Sequence, residues 1–441
     1  MDHPEEFSHR RAAFLKALPA NSIAILAASN ECLRNGDAHY PYRQNSNFYY
    51  LTGFAEPEAV AVFIPGRAEG EFVLFNRVRN PEREVWDGVR AGQEGACSIY
   101  GANQSFPIEA LDKQLPVLLE NRQHLYYAIG RDAVFNERVL SWVATAQQKE
   151  RNGIKAPQTF ANVEKILSEM RLRKSKLEIS YMRKAAEISA QAHIRAMQAC
   201  NPGLAEYELE AEIQYVFTKQ GSRAPAYTHI VGSGANSCTL HYIDNTATIT
   251  DGDIVLIDAG AEYEYYASDV TRTFPANGRF TDEQRAVYNA VLKTQEAVIA
   301  EIKPGVSWHH LQETSDRVIT EELVRLGLLQ GEIKSLVAEN TFQKFYKHRI
   351  GHWLGMDVHD VGGYRDDDGK WRLLEPGMTL TVEPGIYISA QTEGVDARWW
   401  NIGVRIEDDV LVTENGCEVL SAGAPKTVEA IEALMKKQSL L

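Results

Sequence analysis

Four carboxylates, Asp258, Asp269, Glu383 and Glu407, each lie in or beside a β-prone run. Three of the chain's 12 histidines, His348, His352 and His359, crowd into the stretch HRIGHWLGMDVHDVG. Four carboxylates with one imidazole form a hard, oxygen-rich donor set, which suits Mn²⁺, Co²⁺ or Fe²⁺ better than a thiolate zinc site. Bridging carboxylates let five side chains hold two such ions ~3.5–4 Å apart, with room for a water between them.

The acids come in pairs. In IVLIDAGAEYEYYASDVTRTF, a hairpin centred between Tyr263 and Glu264 puts Asp258 directly opposite Asp269, ~4.5–5.5 Å apart at Cβ. Two like charges that close destabilise the fold unless a cation lies between them. A solvated hairpin with two surface acids is the plainer alternative, but Asp258 ends a strand apolar at every position, where an unpaired carboxylate is costly. In the second pair, TLTVEPG presents Glu383 and IGVRIEDDVLV presents Glu407. Arg405 and Glu407 are two apart on a strand and share a face. Alone, Glu407 reads equally well as the ion-pair partner of Arg405; beside three other acids it reads as a ligand.

His348 and His352 have the i, i+4 spacing of an HExxH helix, but Arg349 occupies the position of its essential glutamate, and Gly351 and Gly355 weaken a helix. A glycine-bracketed loop is expected instead, with His352 reaching the ions and His348 and His359 lining the cavity.

The elements that position these residues repeat. Ser175 and Glu178 form a capping box, and the helix they open stops at Asn201-Pro202-Gly203 before a second helix in AEYELEAEIQYVFTKQG. A helix opened by Thr281 and Gln284 stops at Lys303-Pro304-Gly305 before a second helix, LQETSDRVITEELVRLG. Gly252 precedes Asp258 by six residues and Gly377 precedes Glu383 by six, each at the head of an apolar strand. Helix, PG, helix, G, strand, acid, occurring twice in order, predicts two pseudo-symmetric α/β halves around a shared centre. Upstream, strands in SIAILAA, AVAVFIP, EFVLF and LYYAIG alternate with helices in SHRRAAFLKAL and FNERVLSWVATAQQ, which predicts a small α/β domain over 1–172 and a second domain over 173–441.

Composition bounds the rest. At 441 residues the chain exceeds a single core. Its 46 basic and 60 acidic residues, net charge −14, disfavour nucleic acid and anionic membrane as partners. Five scattered cysteines without a CxxC pair read as reduced thiols of a cytoplasmic protein. No run reaches the roughly 18 apolar residues of a membrane helix, and the N-terminus lacks a signal pattern. Trp86 reads as an ordinary packed tryptophan in preference to a cap on a neighbouring subunit's pocket, Trp399 and Trp400 as pocket rim or surface, His309 and His310 as helix-opening residues, His229 as a neighbour of the site, and residues 428–441 as a short amphipathic helix.

The series LIDAG, DVTRTF, HWLGMDVHDVG, TVEPG and VRIEDD resembles the pita-bread metallopeptidases, and within them the Xaa-Pro aminopeptidase (aminopeptidase P) group. YPYRQNSNFYYLTGFAEPEAV, at 40–60, is similar to the amino-terminal domain of that group. The resemblance implies an α/β (α+β) fold with a catalytic domain of two halves around a curved antiparallel sheet. It implies Asp258 as terminal ligand of one ion, Asp269 and Glu407 as bridges, and His352 and Glu383 as terminal ligands of the other, with Mn²⁺ first and Co²⁺, Fe²⁺ or Zn²⁺ as alternatives. Glu383 also shuttles the proton of the water between the ions. His241 and His359 are expected to flank the scissile peptide, His348 to line the pocket, and Tyr387 and Arg405 to orient the Asp258 side. The implied partners are peptides beginning Xaa-Pro and further copies of the chain, as dimer or tetramer. Alternatives are an Xaa-Pro dipeptidase (prolidase), which shares the ligand set, and a non-catalytic binding module that keeps the fold. One departure stands out: the family reads His-Gly where this chain has His348-Arg349.

Overall fold

The computed structural model describes residues 3–436, and the chain divides into two compact units, 1–170 and 171–441. In the first unit, six strands form one mixed sheet in the order Gln104–Pro107, Phe72–Asn76, Val60–Phe63, Ser22–Ala27, His124–Tyr127, Thr159–Asn162. Ser22–Ala27 runs antiparallel to Val60–Phe63 and parallel to His124–Tyr127. Helices Leu111–Leu118 and Ala133–Gln147 cover one face with Leu115, Val139 and Trp142. Phe14 of helix Pro4–Ala17 meets Phe63 edge-on at 5.4 Å. Trp86 contradicts the packed reading. It is 83% exposed on the short helix Pro81–Asp87, flanked by Val85 and Val89, which are also exposed. That helix buries none of its residues, so the tryptophan has nothing to pack on within it.

The second unit is built twice from one plan. Helix Lys176–Ala199 opens with the Ser175/Glu178 capping box, and helix Asp282–Glu301 with that of Thr281 and Gln284. After each PG the chain makes the same three backbone bonds. Gly203 N–H donates to Ile249, Ile249 to Leu204 and Glu206 to Ala247; Gly305 donates to Leu374, Leu374 to Val306 and Trp308 to Arg372. Gly252 and Gly377, both at φ 88°, turn the chain into the two acid-bearing strands, Ile254–Asp258 and Thr379–Val382. Both strands are buried throughout.

The strands form short antiparallel ladders. Ile254–Asp258 lies between Ile230–Ser233 and Thr271–Pro275. Thr379–Val382 pairs with Asp408–Thr413, and Gly385–Ile388 with Ile402–Arg405, in one continuous register. The halves meet where Glu407 N–H donates to Thr271 O (3.1 Å) and Thr273 Oγ1 donates to Arg405 O (2.9 Å). Trp399 is neither rim nor surface but packs in the main core, and Trp400 donates Nε1–H to Val395 O. Trp308 starts the helix that carries His309 and His310. The C-terminal helix spans Val428–Lys436; positions 437–441 lie outside the described residues. Among the described residues no helix is long and apolar enough to cross a membrane.

Candidate metal centre

The hairpin that carries Asp258 and Asp269 has a different register from the one expected. Asp258 faces Thr271, and Tyr263 faces Tyr266, leaving Glu264 and Tyr265 as the turn. Both turn residues have positive φ, 49° and 69°, the signature of a type I′ turn built without glycine or asparagine. Asp269 is therefore the diagonal neighbour of Asp258, still on the same face. In the second half the register does place Glu383 opposite Glu407.

His352 arrives on a loop, not a helix. Gly351 and Gly355 are required by close approach: a Cβ at Gly351 would meet Thr381 O at 2.1 Å, and at Gly355 Asp360 Oδ2 at 2.0 Å. His352 N–H donates to Thr381 Oγ1 (3.1 Å) and its carbonyl accepts from Thr381 N–H (2.9 Å), which ties the loop to the Glu383 strand. The loop closes when Asp360 N–H donates to Trp353 O (2.9 Å). Beneath it the buried Arg171 bonds Asp360 Oδ1 at 2.5 Å and Asp357 Oδ2 at 2.7 Å, while Lys174 Nζ lies 3.2 Å from Asp360 Oδ2.

The five expected donors converge. Ligand atoms of Asp269, His352 and Glu407 all lie within 4.8 Å of one another. His352 Nε2 is 3.3 Å from Asp269 Oδ2 and 3.6 Å from Glu383 Oε1. Asp258 Oδ1 and Asp269 Oδ1 each lie 2.5 Å from the Tyr227 hydroxyl, whose single proton serves one at a time. Thr271 Oγ1 donates to Glu407 Oε2 (2.7 Å), and Arg405 Nη2 to Asp258 Oδ2 (2.6 Å). His352 Nδ1–H donates to Trp353 O (3.0 Å), which directs Nε2 at the acids.

Electrostatics test whether these residues fit cations. Burial raises the Asp258 carboxyl, with Arg405 opposing and Asp269 adding to the rise. Burial, then Asp269, Glu383 and Asp258, push Glu407 well above the usual carboxylate range. Burial lifts Glu383 to about 7 against the pull of His352. Burial works against the His352 cation, but Asp269 and Glu383 outweigh it and hold the imidazole near 9. Buried carboxylates that resist ionisation around an imidazole that keeps its proton make a pocket short of positive charge. Two divalent cations offset four carboxylates, so the donor set fits them.

A hydrogen-bond chain runs alongside. Arg405 Nη1–H donates to the Tyr387 oxygen (3.0 Å), Tyr387 O–H to His348 Nε2 (2.8 Å), and His348 Nδ1–H to Arg349 O (2.9 Å). Burial and then Arg405 depress His348 to about 4, and burial raises Tyr387 to about 12, so both are neutral near pH 7. His348 Nδ1 lies 3.7 Å from Glu383 Oε2. The His359 ring meets His352 edge-on at 4.3 Å. His241 is exposed. His229 turns away instead: its ring packs against Phe217 and Nε2 faces Gln214 Oε1 at 3.4 Å. Tyr227 is the contact that sequence reading missed. Its partners stand 31 and 42 residues away, and the only local signal was its place before His229.

Known proteins resemble this chain in sequence and fold. The pattern of metallopeptidase family M24 matches residues 180–414, and that of the aminopeptidase P N-terminal domain matches 7–126. The Xaa-Pro aminopeptidase of Escherichia coli (strain K12) is 45% identical, covering 98% of this chain and 97% of its own. The solved structure of Pseudomonas aeruginosa aminopeptidase PepP superimposes with a TM-score of 0.98 at 54% identity, covering 99% of each chain. A Homo sapiens Xaa-Pro dipeptidase is 35% identical over 95% of this chain and 90% of its own. The chain belongs to metallopeptidase family M24, with an aminopeptidase P N-terminal domain ahead of its pita-bread catalytic unit.

Proposed function

We propose that the chain is an Xaa-Pro aminopeptidase, releasing the N-terminal residue from peptides whose second residue is proline, with two divalent ions in the centre. The observation that carries this is the convergence of Asp269, His352 and Glu407 within 4.8 Å, bordered by Glu383 and Asp258. Asp258 would hold one ion, His352 and Glu383 the other, and Asp269 and Glu407 would bridge. Mn²⁺ is our first choice, with Co²⁺, Fe²⁺ and Zn²⁺ as alternatives, on the oxygen-rich donor set. When bound, such ions lower the pKa of water and polarise a carbonyl.

The side chains supply the rest. The buried acids hold the substrate α-amine, which makes the enzyme an exopeptidase. Glu383 takes a proton at its carboxylate and delivers it to the departing proline nitrogen, which carries no N–H of its own before cleavage. The neutral His348, fixed by Tyr387, borders that proton path at 3.7 Å from Glu383 Oε2. His359 and His241 donate to the oxyanion, while Arg405 and Tyr387 hold Asp258 in place.

We divide the chain into a 1–172 N-terminal domain and a 173–441 catalytic domain, supported by the two family matches. A cytoplasmic location is supported by five unpaired cysteines, and a homo-oligomer by the exposed Val85, Trp86 and Val89. The likeness to a dipeptidase keeps prolidase as the second reading. With Mn²⁺, Ala-Pro-Ala is expected to lose its first residue while Ala-Ala-Ala is left intact; equal turnover contradicts the proline reading. Absence of cleavage beyond Xaa-Pro dipeptides favours the prolidase.

A further inference from the structure

A cavity of ≈ 340 Å³ adjoins the metal centre, lined among others by His309, Asp316, Tyr346, His348, Arg349 and Trp371. Its aromatic wall is held in place. Trp371 stacks on His309 with centroids 4.9 Å apart and planes at 10°, and the Arg365 guanidinium sits 3.7 Å over the Trp371 ring. The one acid in the lining, Asp316, is engaged by Gln312 Nε2 (2.7 Å), and Gln312 Oε1 in turn accepts from Ile350 N–H (3.0 Å).

His348 belongs to both places: it lines the cavity and lies 3.7 Å from Glu383. The exposed Arg349 is next to it. Arg349 lines the same cavity as His348. Among the described residues no carboxylate pairs with Arg349, although acids outnumber bases in this chain by 60 to 46.

In the aminopeptidase reading the α-amine end of a peptide lies against the buried Asp258, Asp269 and Glu407, and His348 links the centre to the cavity. An extended chain advances ~3.3 Å per residue, comparable with the 3.7 Å between Glu383 and His348, so residues beyond the scissile bond extend toward the cavity that Arg349 lines.

We propose that this cavity is the subsite for the third residue of the peptide, and that Arg349 makes it selective for a carboxylate there. The carboxylate comes either from an Asp or Glu side chain or from the free C-terminus of a tripeptide. The planar guanidinium takes both oxygens of that carboxylate. The inference rests on the aminopeptidase reading for the direction of the peptide, and it assigns a preference that reading does not contain.

Two measurements separate the two claims. Cleavage of Ala-Pro-Ala-amide tests the aminopeptidase reading alone. Calorimetric binding of the dipeptide amides Pro-Glu-amide and Pro-Gln-amide, with tryptophan fluorescence as a second readout, tests the subsite whether or not turnover occurs. The natural chain is expected to bind Pro-Glu-amide about fivefold more tightly, the size of a partly exposed ion pair. Arg349→Gln should erase that gap and Arg349→Lys restore part of it. Raising the salt should narrow the gap. Comparing Pro-Ala with Pro-Ala-amide shows whether the terminal carboxylate is also read. No preference in the natural chain, or a preference that survives Arg349→Gln, overturns the proposal.

Discussion

The two halves of the catalytic unit share a scaffold and differ in what they deliver. Their PG turns make the same three backbone bonds, and a glycine at φ 88° leads into each acid-bearing strand. Yet the first half supplies the short Asp258 and Asp269, and the second the longer Glu383 and Glu407 plus the histidine loop. Each half also orients an acid of the other. Arg405, from the second, holds Asp258 at 2.6 Å, and Thr271, from the first, holds Glu407 at 2.7 Å. A duplicated frame fixes where backbones go. The centre depends on crossed side-chain contacts that neither half makes alone.

The largest break should come from cutting that crossing. Arg405→Leu leaves Asp258 a buried carboxylate without its cation, and we expect a loss of ~3–5 kcal/mol of stability, read by urea denaturation of the metal-free protein. A loss below ~1 kcal/mol would mean the halves are not coupled through this pair. Tyr227→Phe removes a hydroxyl that serves only the first half. Metal affinity should fall ~10–100-fold with unchanged unfolding, as followed by metal titration; an unchanged affinity would remove Tyr227 from the site.

A smaller effect sharpens the comparison from the side of the frame. His193 is fully buried, its Nε2–H donating to Ala259 O (3.1 Å) beside Asp258. Burial depresses it from 6.5 to about 3. The unfolded chain therefore takes up a proton below pH 6.5 that the folded chain refuses. This contribution is complete above pH 6.5 and is lost at ~1.4 kcal/mol per pH unit as the pH falls toward the folded value. His193→Gln should flatten that slope; an unaltered acid profile would show that His193 is not its source.

Sequence patterns revealed what local chemistry encodes. Asp258 and Glu383 were legible because each ends an apolar strand six residues after a glycine, where a lone carboxylate would be costly. The two capping boxes and both PG stops were legible for the same local reason. The hairpin register was not. Its turn is Glu264-Tyr265, and neither residue advertises positive φ, so the expected centre between Tyr263 and Glu264 falls one residue short. Tyr227 escaped because its partners meet it only in three dimensions. Trp86 was misread because tryptophan burial is a tendency of composition, and the helix that bears it has no core to offer.

Metal stoichiometry tests the centre most directly. After loading with Mn²⁺ and removal of free metal, the natural chain should retain two ions. Asp269→Asn and Glu407→Gln, each removing a bridge, should retain at most one while keeping the natural circular dichroism spectrum and losing peptide cleavage. Two ions held by either variant, with cleavage intact, would contradict a centre bridged by these residues.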